Sequence, residues 1–163
     1  VGKSLDNERL GRELWAMRAG LLRVAGSIVR TGQDAEDAVS AAIVRAYQRA
    51  DTLRDESSLR PWMMRITVRC CYDQLRGSRR ERPTADESVF DLPVFQERDT
   101  VYELLRQLPP PLCQALTLYY YEGFSTGEIA GILGVARPAV TMRLTRGRRL
   151  LKRILEREGA TEE

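Results

Sequence analysis

Histidine is absent from this chain of 163 residues, and only three cysteines are present. Without an imidazole, the chain lacks the usual His-containing zinc sites, the commonest general acid–base side chain, and the Ser-His-Asp and Cys-His arrangements of nucleophilic catalysis. Cys70, Cys71 and Cys113 have no C-x-x-C spacing, so we expect buried thiols in a reducing compartment. Glycine-rich phosphate-binding loops are missing as well. We therefore expect neither an enzyme nor a metal or cofactor site.

Long apolar runs and a strong net charge are missing too. No stretch approaches the roughly 18 apolar residues that a membrane span needs. From Lys3 onward the N-terminal residues alternate charged and apolar side chains, unlike a secretory signal. These features predict a cytoplasmic protein without membrane insertion. Because the net charge is only +3, the position of the charges is more informative than their sum.

Apolar residues recur at helical spacing through most of the chain, and no convincing strand pattern occurs, so the predicted fold is all-α. We expect one helix over residues 5–29 and a second that Asp34 caps and that ends near Ala50. A third helix is expected from Ser57 or Ser58, with Gly77 marking its fraying end.

Residues 83–99 interrupt this pattern. They contain Pro83 and Pro93, and they carry five acidic residues against one basic residue, a local charge of −4. We predict a flexible acidic linker at 83–99 between two small helical domains, residues 1–82 and 100–163. In the second domain, residues 100–108 predict a helix whose buried face carries Val101, Leu104, Leu105 and Leu108.

The strongest motif covers residues 125–155. Ser125 and Glu128 form a capping box, and the spacing from Ala130 to Gly134 to Val140 is typical of a helix-turn-helix. The second helix of this motif is predicted to begin near Arg137. Such a helix reads double-stranded DNA from the major groove.

The same helix carries seven cations and no acidic residue before Glu156. Cations this dense repel one another unless a polyanion is near, although an ordinary solvated face remains the alternative. Arg137, Thr141 and Thr145 are positioned to face base edges, and the later arginines to meet phosphates. The seven cations are Arg137, Arg143, Arg146, Arg148, Arg149, Lys152 and Arg153.

A second basic pattern lies on the third predicted helix. Its residues fall at steps of three and four and so share one stripe, opposite Trp62 and Ile66. Arginines interleaved with an aromatic ring suit opened nucleic acid, because phosphates pair with the cations and bases stack on the ring. The alternative is a solvated face. The residues of this stripe are Arg65, Arg69, Tyr72, Arg76 and Arg80.

Two basic helical blocks, an acidic linker and a C-terminal helix-turn-helix together resemble a bacterial RNA polymerase sigma factor. The pattern is most similar to the extracytoplasmic-function group of the sigma-70 family, which keeps conserved regions 2 and 4. The resemblance covers nearly the whole chain. It is carried by Asp34-Ala35-Glu36-Asp37, Ser57-Ser58-Leu59-Arg60-Pro61-Trp62, Arg65-Ile66, Asp73, Leu75-Arg76, Leu108-Pro109-Pro110, Tyr120-Tyr121-Glu122-Gly123-Phe124-Ser125, Glu128-Ile129-Ala130, Leu133-Gly134-Val135, and Val140 with Arg143-Leu144.

The resemblance implies a factor that directs RNA polymerase core to specific promoters, helps to open them, and is controlled by an anti-sigma factor. The implied partner is polymerase core with its β′ and β subunits, and region 2 would bind the clamp helices of the largest subunit through Asp34, Glu36, Asp37, Ser40, Ala41 and Tyr47. At the minus-ten element, a flipped base would be held by the turn formed by Leu53, Arg54, Asp55, Glu56 and Ser57. The opened strand would be held by Arg65, Arg69, Tyr72 and Arg76. Region 4 would bind the minus-thirty-five duplex through Arg137, Pro138, Thr141, Arg143, Thr145, Arg146 and Arg149.

The chain departs from this family at several positions. Family members usually carry Gln-Glu at the positions of Ser40 and Ala41, and often Asn at the position of Arg69. A basic residue is common at the position of Thr141, and a hydroxyl residue is typical at the position of Ala136.

Two other classes of protein share part of the pattern. A free-standing helix-turn-helix regulator needs only the C-terminal block and commonly dimerises on a palindrome. It leaves the basic stripe of the third helix and the acidic linker unexplained. A sigma mimic that captures an anti-sigma factor without touching DNA tends to lose the arginines of the recognition helix, and here they are present.

Overall fold

The computed structural model describes residues 5–81 and 99–161, with the side chains of 5–77 and 99–159. These residues form helices and turns and contain no β-strand, which confirms the all-α prediction. The chain divides into two compact units, Val1–Phe95 and Gln96–Glu163. Apart from Asp99, the predicted linker lies outside the described residues. No helix in the described ranges is both long and apolar enough to cross a membrane.

Three helices that pack on one another form unit 1: α1 (Asn7–Gly26), α2 (Gly32–Gln48) and α3 (Leu59–Glu81). The Asp6 side chain caps α1 by accepting a hydrogen bond from the backbone N–H of Arg9 at 2.7 Å. The predicted apolar stripes supply the core, because their spacing of three and four residues keeps them on one side of each helix. The buried residues include Leu10, Leu14, Leu21, Val24, Ala38, Ala42, Met63, Ile66 and Cys70.

The prediction that Asp34 caps α2 is wrong. Thr31 is the N-cap, and its hydroxyl oxygen accepts a hydrogen bond from the backbone N–H of Asp34 at 3.1 Å. Asp34 therefore lies in the first turn, where a carboxylate still interacts favourably with the helix dipole. Its carbonyl oxygen accepts a hydrogen bond from the side chain of Gln74 in α3 at 3.0 Å.

The start and end of α3 also differ from the sequence prediction. Asp55, rather than Ser57 or Ser58, caps a 3-10 turn at Glu56–Ser58 that leads directly into α3. Gly77 does not end this helix, which continues to Glu81. A single glycine costs a helix about 1 kcal/mol, and the residues that follow it here are mostly good helix formers.

Unit 2 contains α4 (Thr100–Leu105), α5 (Pro110–Leu116), a π-helical turn (Thr117–Tyr121), α6 (Thr126–Leu133) and α7 (Arg137–Thr161). Prolines 109–111 lie between α4 and the body of α5, and Pro110 opens α5 where its missing N–H costs little. Gly123, with φ of 72°, follows the π-helical turn. Only a residue that tolerates the left-handed region fits there.

Leu104, Leu105 and Leu108 are buried as predicted, but Val101 is not, and Tyr102 lies on the buried side in its place. Val101 is 50% exposed, whereas Tyr102 is 3% exposed and meets the Tyr121 ring edge-on, with 5.9 Å between the ring centroids. Asp99 caps α4 and also accepts a hydrogen bond from the Tyr121 hydroxyl at 2.7 Å. These contacts turn Tyr102 inward, and they place Asp99, predicted as linker, at the start of α4.

The three cysteines are free and buried, as predicted. Burial raises the pKa of the Cys71 thiol to about 12 and that of the Cys113 thiol to about 11. The thiolate is the reactive form of cysteine, so these side chains act at neutral pH as small apolar core groups.

The contact between α5 and α7 requires a glycine at position 147. A Cβ atom there would lie 2.7 Å from Cδ1 of Leu116, which is itself 1% exposed. Val140 and Leu144 are buried on the same helix. A side chain at residue 147 would therefore force the buried Leu116 side chain to shift within a packed core.

We expect Gly147→Ala to destabilise unit 2 by about 1–3 kcal/mol, because overpacking outweighs the gain of up to about 1 kcal/mol in helix propensity. Gly159→Ala in the same helix is the matched control, since a Cβ there meets nothing within 4 Å. Thermal unfolding followed by circular dichroism measures both variants. A Gly147→Ala protein as stable as the parent chain would contradict the close packing.

Candidate nucleic-acid interface

The helix-turn-helix predicted at residues 125–155 is present. The Ser125 hydroxyl accepts a hydrogen bond from the backbone N–H of Glu128 at 3.2 Å, and the Glu128 carboxylate accepts one from the backbone N–H of Ser125 at 3.0 Å. Gly134 ends α6 in the left-handed conformation, with φ of 68°. This short turn leads to Arg137, the first residue of α7.

One face of α7 is buried in unit 2 and the other is open to solvent. Val140, Leu144 and Gly147 are buried, and Arg143 is half-buried. None of Arg143, Arg146 and Arg149 forms an ion pair with a described residue, so their charges are available to an external anion. The exposed residues of the predicted DNA-binding set are Arg137, Pro138, Thr141, Thr145, Arg146 and Arg149.

Arg148 differs from its neighbours. Its Nε donates a hydrogen bond to the Tyr120 hydroxyl at 2.6 Å, and its guanidinium carbon lies 5.7 and 5.5 Å from the ring centroids of Tyr119 and Tyr120. A cation at this distance from aromatic rings gains about 0.5–1 kcal/mol at an exposed site. Arg148 therefore ties α7 to the π-helical turn, whereas the sequence pattern grouped it with the cations that face outward.

The two helices of the motif are also joined at their first residues. Nε of Arg137 donates a hydrogen bond to the hydroxyl oxygen of Thr126 at 3.0 Å. Thr126 is the first residue of α6, and no sequence motif singles it out.

In unit 1 the predicted stripe on α3 is exposed at Arg65, Arg69, Tyr72 and Arg76. Arg65 and Arg69 form no ion pair with a described residue. Arg76 instead pairs with the carboxylate of Asp73, which also accepts a hydrogen bond from Arg45 at 3.0 Å. The side chain of Arg80 lies outside the described residues.

The cations beside Asp73 have an electrostatic consequence. The hydrogen bond from Arg45 has the largest effect on the pKa of the Asp73 carboxyl and lowers it. Burial opposes this, and the hydrogen bond from Arg76 and the charges of both arginines keep the pKa below its usual value. Asp73 is therefore ionised at neutral pH and neutralises part of the positive charge at this end of the stripe. The uncompensated charge lies at Arg65 and Arg69.

The turn before α3 is held by its own side chains. Both oxygens of the Asp55 carboxylate accept hydrogen bonds from Ser57, one from its backbone N–H at 3.1 Å and one from its hydroxyl at 2.7 Å. These bonds lower the pKa of Asp55. Glu56 pairs with Arg9 of α1 at 2.9 Å. Of the residues predicted to hold a flipped base, Leu53 is half-buried, and Arg54, Asp55, Glu56 and Ser57 are exposed.

The predicted polymerase-binding residues lie along the exposed side of α2. Glu36, Asp37, Ser40, Ala41 and Tyr47 are exposed, and Asp34 is half-buried. At the spacing of three and four residues they share one face with Val44, which is 56% exposed.

Trp15 extends this face onto α1, and the sequence pattern did not indicate it. It is 75% exposed. Arg18 lies 5.7 Å from the centroid of the Trp15 ring and also pairs with Glu36 of α2 at 3.8 Å. One arginine thus connects the exposed ring to the α2 face. The sequence feature that could have identified Trp15 is its position on the polar side of an amphipathic helix.

Comparison with known protein families gives two matches. The family described as Sigma-70 region 2 matches residues 16–81, and the family described as Sigma-70, region 4 matches residues 98–151. The first contains α2, α3 and the turn between them. The second contains the helix-turn-helix.

Individual relatives agree with the family matches. The probable RNA polymerase sigma factor RfaY of Xanthomonas campestris pv. campestris is 31% identical over 85% of this chain, which spans 38% of that relative's length. The ECF RNA polymerase sigma factor SigM of Mycobacterium tuberculosis is 32% identical over 83% of this chain and 71% of its own length. A co-crystal structure from Bartonella quintana, of the sigma factor RpoE with the anti-sigma factor NepR, superposes with a TM-score of 0.75. It has 26% identity and covers 90% of this chain and 96% of that one.

Proposed function

Because the chain belongs to the extracytoplasmic-function (ECF) sigma factors of the sigma-70 family, we propose that it directs RNA polymerase core to specific promoters and helps to open them. In this role it works in the cytoplasm and has no catalytic activity of its own. The observation that carries the proposal is the exposed face of α7, where Arg146 and Arg149 have no acidic partner among the described residues while the opposite face is buried.

An anti-sigma factor is the expected regulator of this activity. The support is the structural similarity to RpoE, which was solved with its anti-sigma factor. The exposed apolar side chains Trp15, Val44 and Tyr47 offer surface of the kind that a protein partner covers.

Run-off transcription with purified core polymerase tests the function. The DNA templates carry the promoters whose transcription start sites are mapped after overexpression of the chain. We expect specific transcripts only when core and this chain are both present. Tight duplex binding that needs no core, with no transcript, would favour a free-standing regulator. Capture of a small regulator but never of core would favour a sigma mimic.

We assign polymerase binding to the exposed face of α2 and extend it to Trp15. Gln-Glu, usual in the family, is replaced here by Ser40 and Ala41, so the face has lost a carboxylate and has a small hydroxyl in place of an amide. Val44 of the same helix and Trp15 of α1 present exposed apolar surface. Tryptophan is among the residues that most often dominate binding energy at protein interfaces.

Trp15→Ala should therefore weaken binding to core polymerase by about 1–2 kcal/mol, roughly 5- to 30-fold in dissociation constant. Removing an exposed ring leaves the core of unit 1 intact, so unfolding should be unchanged. Val101→Ala is the control, because Val101 is an exposed apolar residue of unit 2. Equal affinity of the Trp15→Ala and parent chains would exclude this ring from the interface.

We assign the opened minus-ten strand to the α3 stripe and the turn at residues 53–57. Arg65 and Arg69 supply uncompensated charge, and Tyr72 supplies a ring that is 40% exposed. Stacking of one base on an aromatic side chain contributes about 1–3 kcal/mol.

Replacing Arg69 and Tyr72 by Ala should reduce promoter opening while duplex binding is retained. Permanganate reactivity of unpaired thymines reports opening, and gel-shift titration of an upstream duplex by the holoenzyme reports binding. Arg76→Ala should have a smaller effect on opening, since Asp73 already neutralises that cation. Parallel loss of opening and duplex binding in the Arg69/Tyr72 variant would contradict this assignment.

We assign the minus-thirty-five duplex to α7. Each phosphate contact that is lost lowers the slope of log affinity against log salt by about one. We expect this change for Arg149→Ala and for Arg146→Ala. Arg148→Ala should leave the slope unchanged and instead lower the unfolding temperature, because its guanidinium is held by Tyr119 and Tyr120. A slope that falls equally in the Arg148 and Arg149 variants would mean that Arg148 also meets phosphate.

A further inference from the structure

Arg137 is the first residue of α7, and its side chain is fixed at one point. The hydroxyl oxygen of Thr126 accepts a hydrogen bond from Nε of Arg137 at 3.0 Å. Arg137 is exposed and Thr126 is half-buried. Arg137 forms no ion pair with a described residue, so this hydrogen bond sets the direction of its guanidinium.

The planar shape of the guanidinium determines which N–H donors remain for a ligand once Nε is bound to Thr126. A guanidinium has five N–H donors in a planar fork. With Nε–H bound to Thr126, the two Nη groups at the far end remain as a pair of parallel donors. A guanidinium held in place also loses less conformational entropy when it binds a ligand.

The position of Arg137 determines which ligand these donors meet. In a helix-turn-helix, the N-terminal residues of the second helix reach the base edges of the major groove. Guanine alone presents two neighbouring acceptors there, O6 and N7, and the commonest specific contact is a bidentate arginine. A contact with a phosphate depends less on the direction of the guanidinium than a contact with a base edge does. Arg146 and Arg149, further along α7, are available for phosphates.

We propose that Arg137 reads one guanine of the minus-thirty-five duplex through its two Nη groups, and that Thr126 is the positioning residue that aims it. The inference rests on the function proposed above. It adds a specificity determinant at the first residue of α7 and gives Thr126 a role that acts through Arg137.

The experiment measures base preference at every position of the upstream element. Holoenzyme is assembled from core and the full chain and selects from duplexes in which the minus-thirty-five element is randomised. The parent chain should prefer guanine at one position by about 5- to 100-fold, the range of a bidentate contact. Thr126→Val, which keeps the shape and removes the acceptor, should reduce that preference by about 2- to 10-fold and leave the other positions unchanged. Thr126→Ser should restore it.

Two further measurements distinguish the positioning of Arg137 by Thr126 from a general effect on the fold. Replacing the selected guanine by 7-deazaguanine removes the N7 acceptor. This should weaken binding by the parent chain, have a smaller effect in Thr126→Val, and have little effect in Arg137→Ala, which has no donor for N7. Thr100→Val makes the same substitution at the first residue of α4 and should leave every preference unchanged.

Several outcomes would overturn the inference. These are an unchanged preference in Thr126→Val, an equal loss at all positions, or parent binding that is insensitive to 7-deazaguanine. A loss of affinity in Arg137→Ala that is spread over all sequences, with a smaller salt slope, would identify a phosphate contact instead. In each of these cases the holoenzyme still selects promoters, whereas failure of the proposed function would abolish selection by the parent chain.

Discussion

The buried face of α7 is the constraint on which the rest of unit 2 depends. Cations at helical spacing repel one another by a few tenths of a kcal/mol per pair. Burial of a valine or leucine side chain contributes about 1.5–3 kcal/mol, so Val140 and Leu144 readily outweigh that repulsion. Gly147 lets Leu116 approach, and Arg148 ties the helix to two tyrosines. The helix can therefore present a high density of positive charge without a partner already in place.

Side-chain contacts within the protein distinguish two kinds of arginine. Arg45, Arg76 and Arg148 contact side chains of the protein and support its structure. Arg65 and Arg69, with Arg146 and Arg149 in unit 2, are exposed and unpaired among the described residues. An unpaired surface cation is well hydrated and contributes little to folding. Its position on a shared face is better explained by an external polyanion, which in a sigma factor is promoter DNA.

Local signals made much of this fold predictable. The capping box at Ser125 and the glycine at 134 act within one turn of the chain, so sequence spacing alone identifies them. Contacts between residues that are far apart in the sequence leave no local pattern of this kind. Tyr102 turned inward because of Tyr121, Arg148 was bound by Tyr120, and Trp15 joined the α2 face through Arg18. Thr31 and Asp34 are both residue types that cap helices well, so only the backbone geometry shows that Thr31 is the cap of α2.

On α7, the residues that pack against the rest of unit 2 differ from those that face solvent. This has an evolutionary consequence. Thr141, Thr145 and Arg149 are exposed, so substitutions there have little effect on folding stability. Under the DNA-binding role proposed above, such substitutions would change the sequence that α7 reads. Gly147 and Leu144 have no such freedom. After gene duplication, two copies of such a factor could diverge in promoter preference through a handful of exposed positions. Each intermediate would remain folded, and a new regulon would need no new scaffold.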